Sequence, residues 1–169
     1  MRRLLTLDFK NYTDNMPVFE KTTVRALIQR NGCYAMQKSN QGEYKIPGGG
    51  VEAGETRMQA LQREVREETG LLIRPETVRE LGEILELRED ILSPGYKYVC
   101  HVLYYGCEVR EEIVDTEMTE SELRQGFHLA WAGLNEIIKA NMALPMEEWR
   151  RRDTKFLQLA ARGDVDLSV

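Results

Sequence analysis

The stretch GGVEAGETRMQALQREVREETGL, Gly49–Leu71, passes from a glycine-rich loop into a charged segment that stops at Gly70. Its pattern predicts a helix from about Thr56 to Thr69, with Glu55 near the N-terminal end and Gly70 as a left-handed C-terminal residue. At 3.6 residues per turn, Glu64, Glu67 and Glu68 stand at i, i+3 and i+4 and share one face. Met58, Leu61 and Val65 form an adjacent apolar stripe that would pack on a sheet and leave the carboxylates at its rim. Two readings are open on spacing alone. The face is solvated and balanced by Arg57, Arg63 and Arg66, or it holds a hard divalent cation through oxygen ligands.

Outward from this helix the chain reads as strands with helices dispersed among them. Before it, TTVRALIQ and CYAMQKS flank Asn31-Gly32, a tight-turn signal, and read as a hairpin. After it, VRELGEILELRE alternates apolar and charged residues, and YKYVCHVLYYGCEV is the longest strand-like run. FHLAWAGL predicts one more strand leading to a helix at LNEIIKAN, and MEEWRRRDTKFLQLAAR a terminal helix after Pro145. This order predicts an α/β (α+β) sandwich with a mixed sheet, not a doubly wound parallel sheet.

Composition narrows the function classes. A chain of 169 residues with 42% hydrophobic residues is long enough for one well-formed core, and residues 1–169 read as a single domain. No apolar run reaches membrane-spanning length and the N-terminal hydrophobic segment is too short for a secretory signal, so a cytoplasmic, soluble protein is expected. Three cysteines without CxxC spacing and two histidines argue against a disulfide framework and a Cys/His zinc site. A net charge of −5 disfavours broad binding to nucleic acid or anionic membrane, and an anionic substrate would need local cations.

The glycine loop and helix together resemble the Nudix box, G-x5-E-x7-R-E-U-x-E-E-x-G-U with U aliphatic. Gly49, Glu55, Arg63, Glu64, Val65, Glu67, Glu68, Gly70 and Leu71 fill every specified position. The resemblance implies a Nudix-type α/β/α sandwich with a catalytic loop-helix-loop. It also implies a hydrolase, MutT-like in kind, that cleaves a diphosphate linkage in a nucleoside diphosphate joined to another group X with Mg²⁺, or Mn²⁺ as substitute. Carried onto this chain, Glu64, Glu67 and Glu68 would be the metal carboxylates, with the carbonyl of Gly48 a further ligand. Arg63, Glu55 and Gly49 would support the site, and Glu67 would act as general base.

Family members often add a glutamate from a later loop as a further metal ligand or base, and Glu117, Glu120 and Glu122 are available here, with Glu122 favoured and then Glu120. Lys38, Lys45 and Arg25 are candidate phosphate contacts, and Tyr44 and Tyr98 candidate stacking residues among several tyrosines. Cys100 and Cys107 read as small apolar fillers. The marks of NADH-, coenzyme A-, ADP-ribose- and dinucleoside polyphosphate-cleaving subclasses are not found outside the box. The remaining expectation is a nucleoside triphosphate, oxidised or not, or a nucleotide sugar. A nucleotide-sensing module without turnover is the alternative, and RNA 5′-end processing a lesser one. The latter would need a basic surface, whereas Arg150, Arg151, Arg152 and Lys155 read as the solvated face of the terminal helix. The resemblance allows a homodimer, and the segment before Thr22, with Leu4, Leu5, Leu7 and Phe9, could pair between copies or complete the chain's own sheet.

Overall fold

The computed structural model describes residues 1–167, so the last two residues of the expected domain lie outside the described residues. The strands are β1 (Arg3–Asp8), β2 (Val18–Arg30), β3 (Cys33–Lys38), β4 (Tyr44–Lys45), β5 (Leu71–Ile73), β6 (Arg79–Glu89), β7 (Lys97–Cys107), β8 (Val109–Ile113) and β9 (His128–Ala132). The helices are α1 (Arg57–Thr69), α2 (Glu120–Gln125), α3 (Leu134–Met142) and α4 (Glu148–Ala161). The main sheet runs β1-β6-β7-β2-β3-β4, with β9 pairing β3 and a separate β5–β8 pair beside it. It is mixed: β1 is parallel to β6 and β2 to β7, while β6–β7 and β3–β9 are antiparallel. The N-terminal segment therefore completes the chain's own sheet as an edge strand.

Alternation along β2 and β7 sends side chains to two cores. Leu27, Cys100, Val102 and Tyr104 join one core with Ile137 of α3 and Phe156 of α4, where Tyr104 and Phe156 stack at 3.8 Å. Val24, Ala26, Ile28, Leu103 and Tyr105 join the other with Leu61 and Val65 of α1. The α/β/α layering follows from this division, and the two cysteines of β7 are buried within it as expected.

The expected hairpin exists but soon opens. Asn31 (φ 52°) and Gly32 (φ 77°) make the tight turn that left-handed backbone permits. Only Gln29–Tyr34 and Arg30–Cys33 then pair. Beyond them the loop after β4 takes over the edge of β2: Val24 and Ala26 donate to the carbonyls of Gly49 and Pro47, and Val51 donates to Thr22. Gly48 (φ 136°) is required there, because a Cβ would run into the Val24 carbonyl. The glycine-rich loop is thus a surrogate strand, fixed by the sheet.

At the other side, β4 is held by Asn141 of α3. Its Oδ1 accepts from the Tyr44 N–H at 2.8 Å, and its Nδ2 donates to the Tyr44 carbonyl at 2.9 Å and to Thr154 Oγ1 of α4 at 3.3 Å. Helix α4 differs from its expected solvated arginine face. Arg150 and Arg152 are buried, Arg150 facing Glu43 and Arg152 bonded to Glu86 and Asp153, and only Arg151 and Lys155 are exposed. Buried carboxylates beneath the helix draw in cations that sequence alone places outside. No helix of the described residues is long and apolar enough to cross a membrane.

Removing the Asn141 amide leaves a buried N–H and carbonyl of β4 without partners. Asn141→Ala is expected to lose about 2–4 kcal/mol in urea unfolding, at about 1–3 kcal/mol per stranded group. A loss below about 0.5 kcal/mol, the range of an ordinary surface change, would contradict this role.

Candidate active site

Helix α1 starts and stops where local chemistry dictates. Thr56 caps it through a box in which the Gln59 N–H donates to Thr56 Oγ1 and the Thr56 N–H donates to Gln59 Oε1. Gly70 ends it in the left-handed region at φ 72°, packed so that a Cβ would meet the Val114 carbonyl. Between these caps the buried Leu61 and Val65 fix the rotation of the helix and point its acidic edge at the glycine loop.

Arg63 joins loop to helix. Its Nε and Nη2 hold the two oxygens of Glu55 at 2.8 and 3.0 Å, and Nη2 also donates to the Gly50 carbonyl at 3.0 Å. Its Nη1 reaches Glu64 at 2.8 Å and Glu67 at 3.3 Å. Glu55 first, and then Glu64, hold the guanidinium charged far above its usual range, while the Glu55 carboxyl is held below the usual carboxylate range by Arg63. Gly49 lies directly beneath Glu64, and a Cβ there would overlap the carboxylate.

Glu68 is more enclosed, with 3% of its surface exposed. Its Oε2 accepts from the Gly48 N–H at 2.7 Å, and its Oε1 accepts from Lys45 Nζ at 2.6 Å. Burial pushes its pKa up to about 7, against the opposing pull of Lys45 and Arg25. Glu122, the third residue of α2 and half of its own capping box with Thr119, lies 3.4 Å from the same Lys45 Nζ. Burial alone would raise the Glu122 carboxyl, but the Thr119 bonds and Lys45 outweigh it and hold it low.

Glu64, Glu68 and Glu122 line one cavity of about 330 Å³ together with Gly48, Gly49 and Gly50. Lys45 and Arg25 line it too. Arg25 is buried, and its Nη1 donates to the Ile46 carbonyl at 3.0 Å and to that of Gly48, while its buried Nε has no hydrogen-bond partner among the described residues. Glu67 stands beside Arg63 and is not part of this lining, although it shares the helix face. Glu117 pairs with Arg66 at 2.7 Å on the surface, and Glu120 is exposed. A larger hollow of about 480 Å³ on another side of α1 contains Glu55 and Arg63 but none of the three helix glutamates.

Lys38 and Tyr44 lie elsewhere. Lys38 Nζ donates to the Tyr44 hydroxyl at 3.0 Å, that hydroxyl donates to Glu136 at 2.8 Å, and the Tyr44 ring is buried in the core. Tyr44 offers no open face for stacking. Tyr98 does line the cavity. Sequence reasoning did not single out Glu86, Arg88, Ile91 or Trp149, which line it as well. They come from β6, the following loop and α4, and no local motif ties those segments to the box.

The donor set suits a hard divalent cation, since it is all oxygen and carries several carboxylates. Among the described residues, no three Asp, Glu, His or Cys side chains already converge as a finished ligand set. The reason is visible in the geometry: the Lys45 ammonium sits between Glu68 and Glu122, and Arg63 holds Glu64. The charge of Glu68 and Glu122 is thus balanced by the Lys45 ammonium between them.

Known proteins agree with this picture. Nucleoside triphosphatase NudI of Enterobacter sp. (strain 638) is 42% identical over 91 residues, covering 50% of this chain and 64% of that protein. The NudI protein of Salmonella schwarzengrund (strain CVM19633) is 46% identical over 57 residues, covering 30% of this chain and 40% of that protein. The matched stretches span less than two thirds of these relatives' own length. A NUDIX hydrolase from Nitrosomonas europaea shares the fold with a TM-score of 0.60 at 21% identity, covering 85% of this chain and 90% of that one. A MutT protein from Methanosarcina mazei Go1 does so with a TM-score of 0.56 at 19% identity, covering 90% and 99%. The NUDIX domain family model matches residues 16–155, a span that takes in the glycine loop, α1, Glu122 and most of the sheet, and the chain belongs to the NUDIX family.

Proposed function

We propose that this chain is a metal-dependent hydrolase of the diphosphate linkage in a nucleoside diphosphate joined to a further group, with nucleoside triphosphates as the favoured substrate class. The observation that carries the proposal is the meeting of Glu64, Glu68 and Glu122 with the Gly48–Gly50 backbone on one cavity, with the Lys45 ammonium between Glu68 and Glu122. The name nucleoside triphosphatase, borne by similar proteins, supports the choice of substrate class.

Glu64 and Glu68 would hold Mg²⁺, or Mn²⁺ in its place, with Glu122 and the Gly48 carbonyl as further oxygen donors. When bound, the cation neutralises the diphosphate and lowers the pKa of an attacking water. The protein's own groups set the stage. Lys45 would bring a positive charge to a phosphate beside the carboxylates of Glu68 and Glu122. The loop carbonyls and the Gly48 N–H keep fixed positions because the sheet holds them. Of the two candidates for general base, Glu122 lines the cavity while Glu67 stands beside Arg63, so Glu122 takes that role more directly and Glu67 supports the helix edge.

Release of phosphate or nucleoside monophosphate from a panel of nucleoside triphosphates, nucleotide sugars, ADP-ribose and dinucleotides tests the reading. Turnover of the triphosphates with Mg²⁺ or Mn²⁺, abolished by chelator, is expected; binding without turnover across the panel would make the protein a nucleotide sensor instead. Glu68→Gln keeps an acceptor for the Gly48 N–H, so its circular dichroism spectrum should match the parent while turnover falls about a hundredfold or more. An unchanged rate would refute the assignment. Gly49→Ala forces the Glu64 carboxylate aside, and its half-saturating Mg²⁺ concentration should rise about tenfold or more. A wild-type Mg²⁺ dependence in that variant would mean Glu64 is not a ligand.

A further inference from the structure

The cavity that holds the glutamates continues to a wall made by other parts of the fold. There β6 contributes Glu86 and Arg88, the β6–β7 loop Ile91, β7 Tyr98, and α4 contributes Trp149 and Arg152. Glu86 is 1% exposed and bridges the two arginines: its Oε1 accepts from Arg88 Nε at 2.7 Å and its Oε2 from Arg152 Nη1 at 3.2 Å. Arg88 also lies 4.0 Å over the Tyr98 ring and donates from Nη1 to the Glu89 carbonyl at 3.0 Å. Arg152 Nε reaches Asp153, which accepts from the Tyr104 hydroxyl at 3.1 Å. Trp149 is half-buried, with its Nε1–H donating to Glu147 at 2.9 Å.

Two features define what such a wall can bind. First, the guanidiniums are neutralised. Two cations face the carboxylates of Glu86 and Asp153, with Asp90 3.9 Å from Arg88, so the cluster carries no positive excess to draw a phosphate. Second, their directional donors remain in part uncommitted. Among the described residues, Nη2 of neither arginine has a hydrogen-bond partner. Glu148, also on the cavity, adds an acceptor. Neutralised, rigidly held donors next to an acceptor and two aromatic rings match the edge and face of a heterocycle.

Resting on the hydrolase reading of the same cavity, we propose that this wall is a nucleobase pocket selective for keto bases, those with a carbonyl oxygen beside a ring N–H. Arg88 and Arg152 donate to the carbonyl, Glu148 accepts from the ring N–H, and Trp149 with Ile91 covers the ring. A base of the amino type presents an amino donor to the arginines and leaves them unpaired, which is the costlier mismatch in a partly buried site.

The test separates base recognition from hydrolysis by using nucleosides, which carry no phosphate. In a Trp131→Phe background Trp149 is the sole indole, and its fluorescence reports titration with inosine and uridine against adenosine and cytidine. Binding of the keto pair tighter by about tenfold is expected. Equal binding of all four, or no binding, would overturn the pocket. Arg88→Gln leaves Glu86 paired with Arg152, and it should cut the keto-to-amino ratio of kcat/KM for ITP over ATP by about tenfold. An unchanged ratio would overturn the role of Arg88. Should that variant fail to fold, Trp149→Leu, which removes the ring cover that either kind of base would use, should raise KM for ITP and for ATP alike by about fivefold or more, and an unchanged KM counts equally against the pocket. A protein that turns over no triphosphate yet keeps the nucleoside preference retains the pocket and loses the hydrolase reading. Turnover of ITP and ATP with equal kcat/KM, without nucleoside preference, does the reverse.

Discussion

Arg63 is the constraint on which the candidate site depends. One guanidinium binds Glu55 at the end of the loop, the Gly50 carbonyl within it, and Glu64 and Glu67 on the helix. Glu68 makes a second link from the helix to the loop through the Gly48 N–H, but with one bond where Arg63 makes several. Its planar fork suits several acceptors at fixed angles, which a lysine ammonium would not reproduce. The same pairing offsets the repulsion among three carboxylates on one helical turn, so the residue that shapes the site also makes its charge tolerable. With about a quarter of its side chain exposed, Arg63 is screened in part by water, and its value is in geometry more than in stability.

The rest of the fold supplies the loop with a second anchor. Because the β2–β3 hairpin opens after two pairs, the sheet leaves an edge of β2 to which the Pro47–Val51 backbone bonds. Gly48 is pressed against that edge and donates its N–H to Glu68, so one loop residue is tied to both the sheet and the helix. Asn141 secures β4 from α3, and with it Lys45, whose ammonium sits between Glu68 and Glu122. Carboxylates from two helices reach one cavity because the loop and β4 are held in place by β2, Glu68 and Asn141.

What was legible in the sequence was what nearby residues determine. The box placed Gly49, Glu55, Arg63 and the glutamates in one local unit, and Thr56, Gly70 and the i, i+3, i+4 spacing drew the helix almost to its observed ends. The mixed sandwich followed from the order of strand and helix patterns. The less accurate readings all concern partners distant in the chain. The hairpin looked longer because nothing in TTVRALIQ reveals that a loop will replace β3 along its edge. Arg150 and Arg152 looked solvated because their partners Glu43 and Glu86 lie far away in sequence. Tyr44 reads as available for stacking, but its ring is buried in the core and its hydroxyl bonds to Glu136 of α3. The short β4, β5, β8 and α2 carry too few residues for periodicity to mark them, yet α2 brings Glu122 to the cavity.

On the proposed function, Arg63 delivers the loop and the helix carboxylates to one divalent-cation site. A titration with Mn²⁺, followed by electron paramagnetic resonance, reads that site without any substrate. Saturable binding by the wild type, weakened about 10- to 100-fold in Arg63→Lys, is the result this account predicts. Equal affinity in the two proteins, or no saturable binding in the wild type, would contradict it.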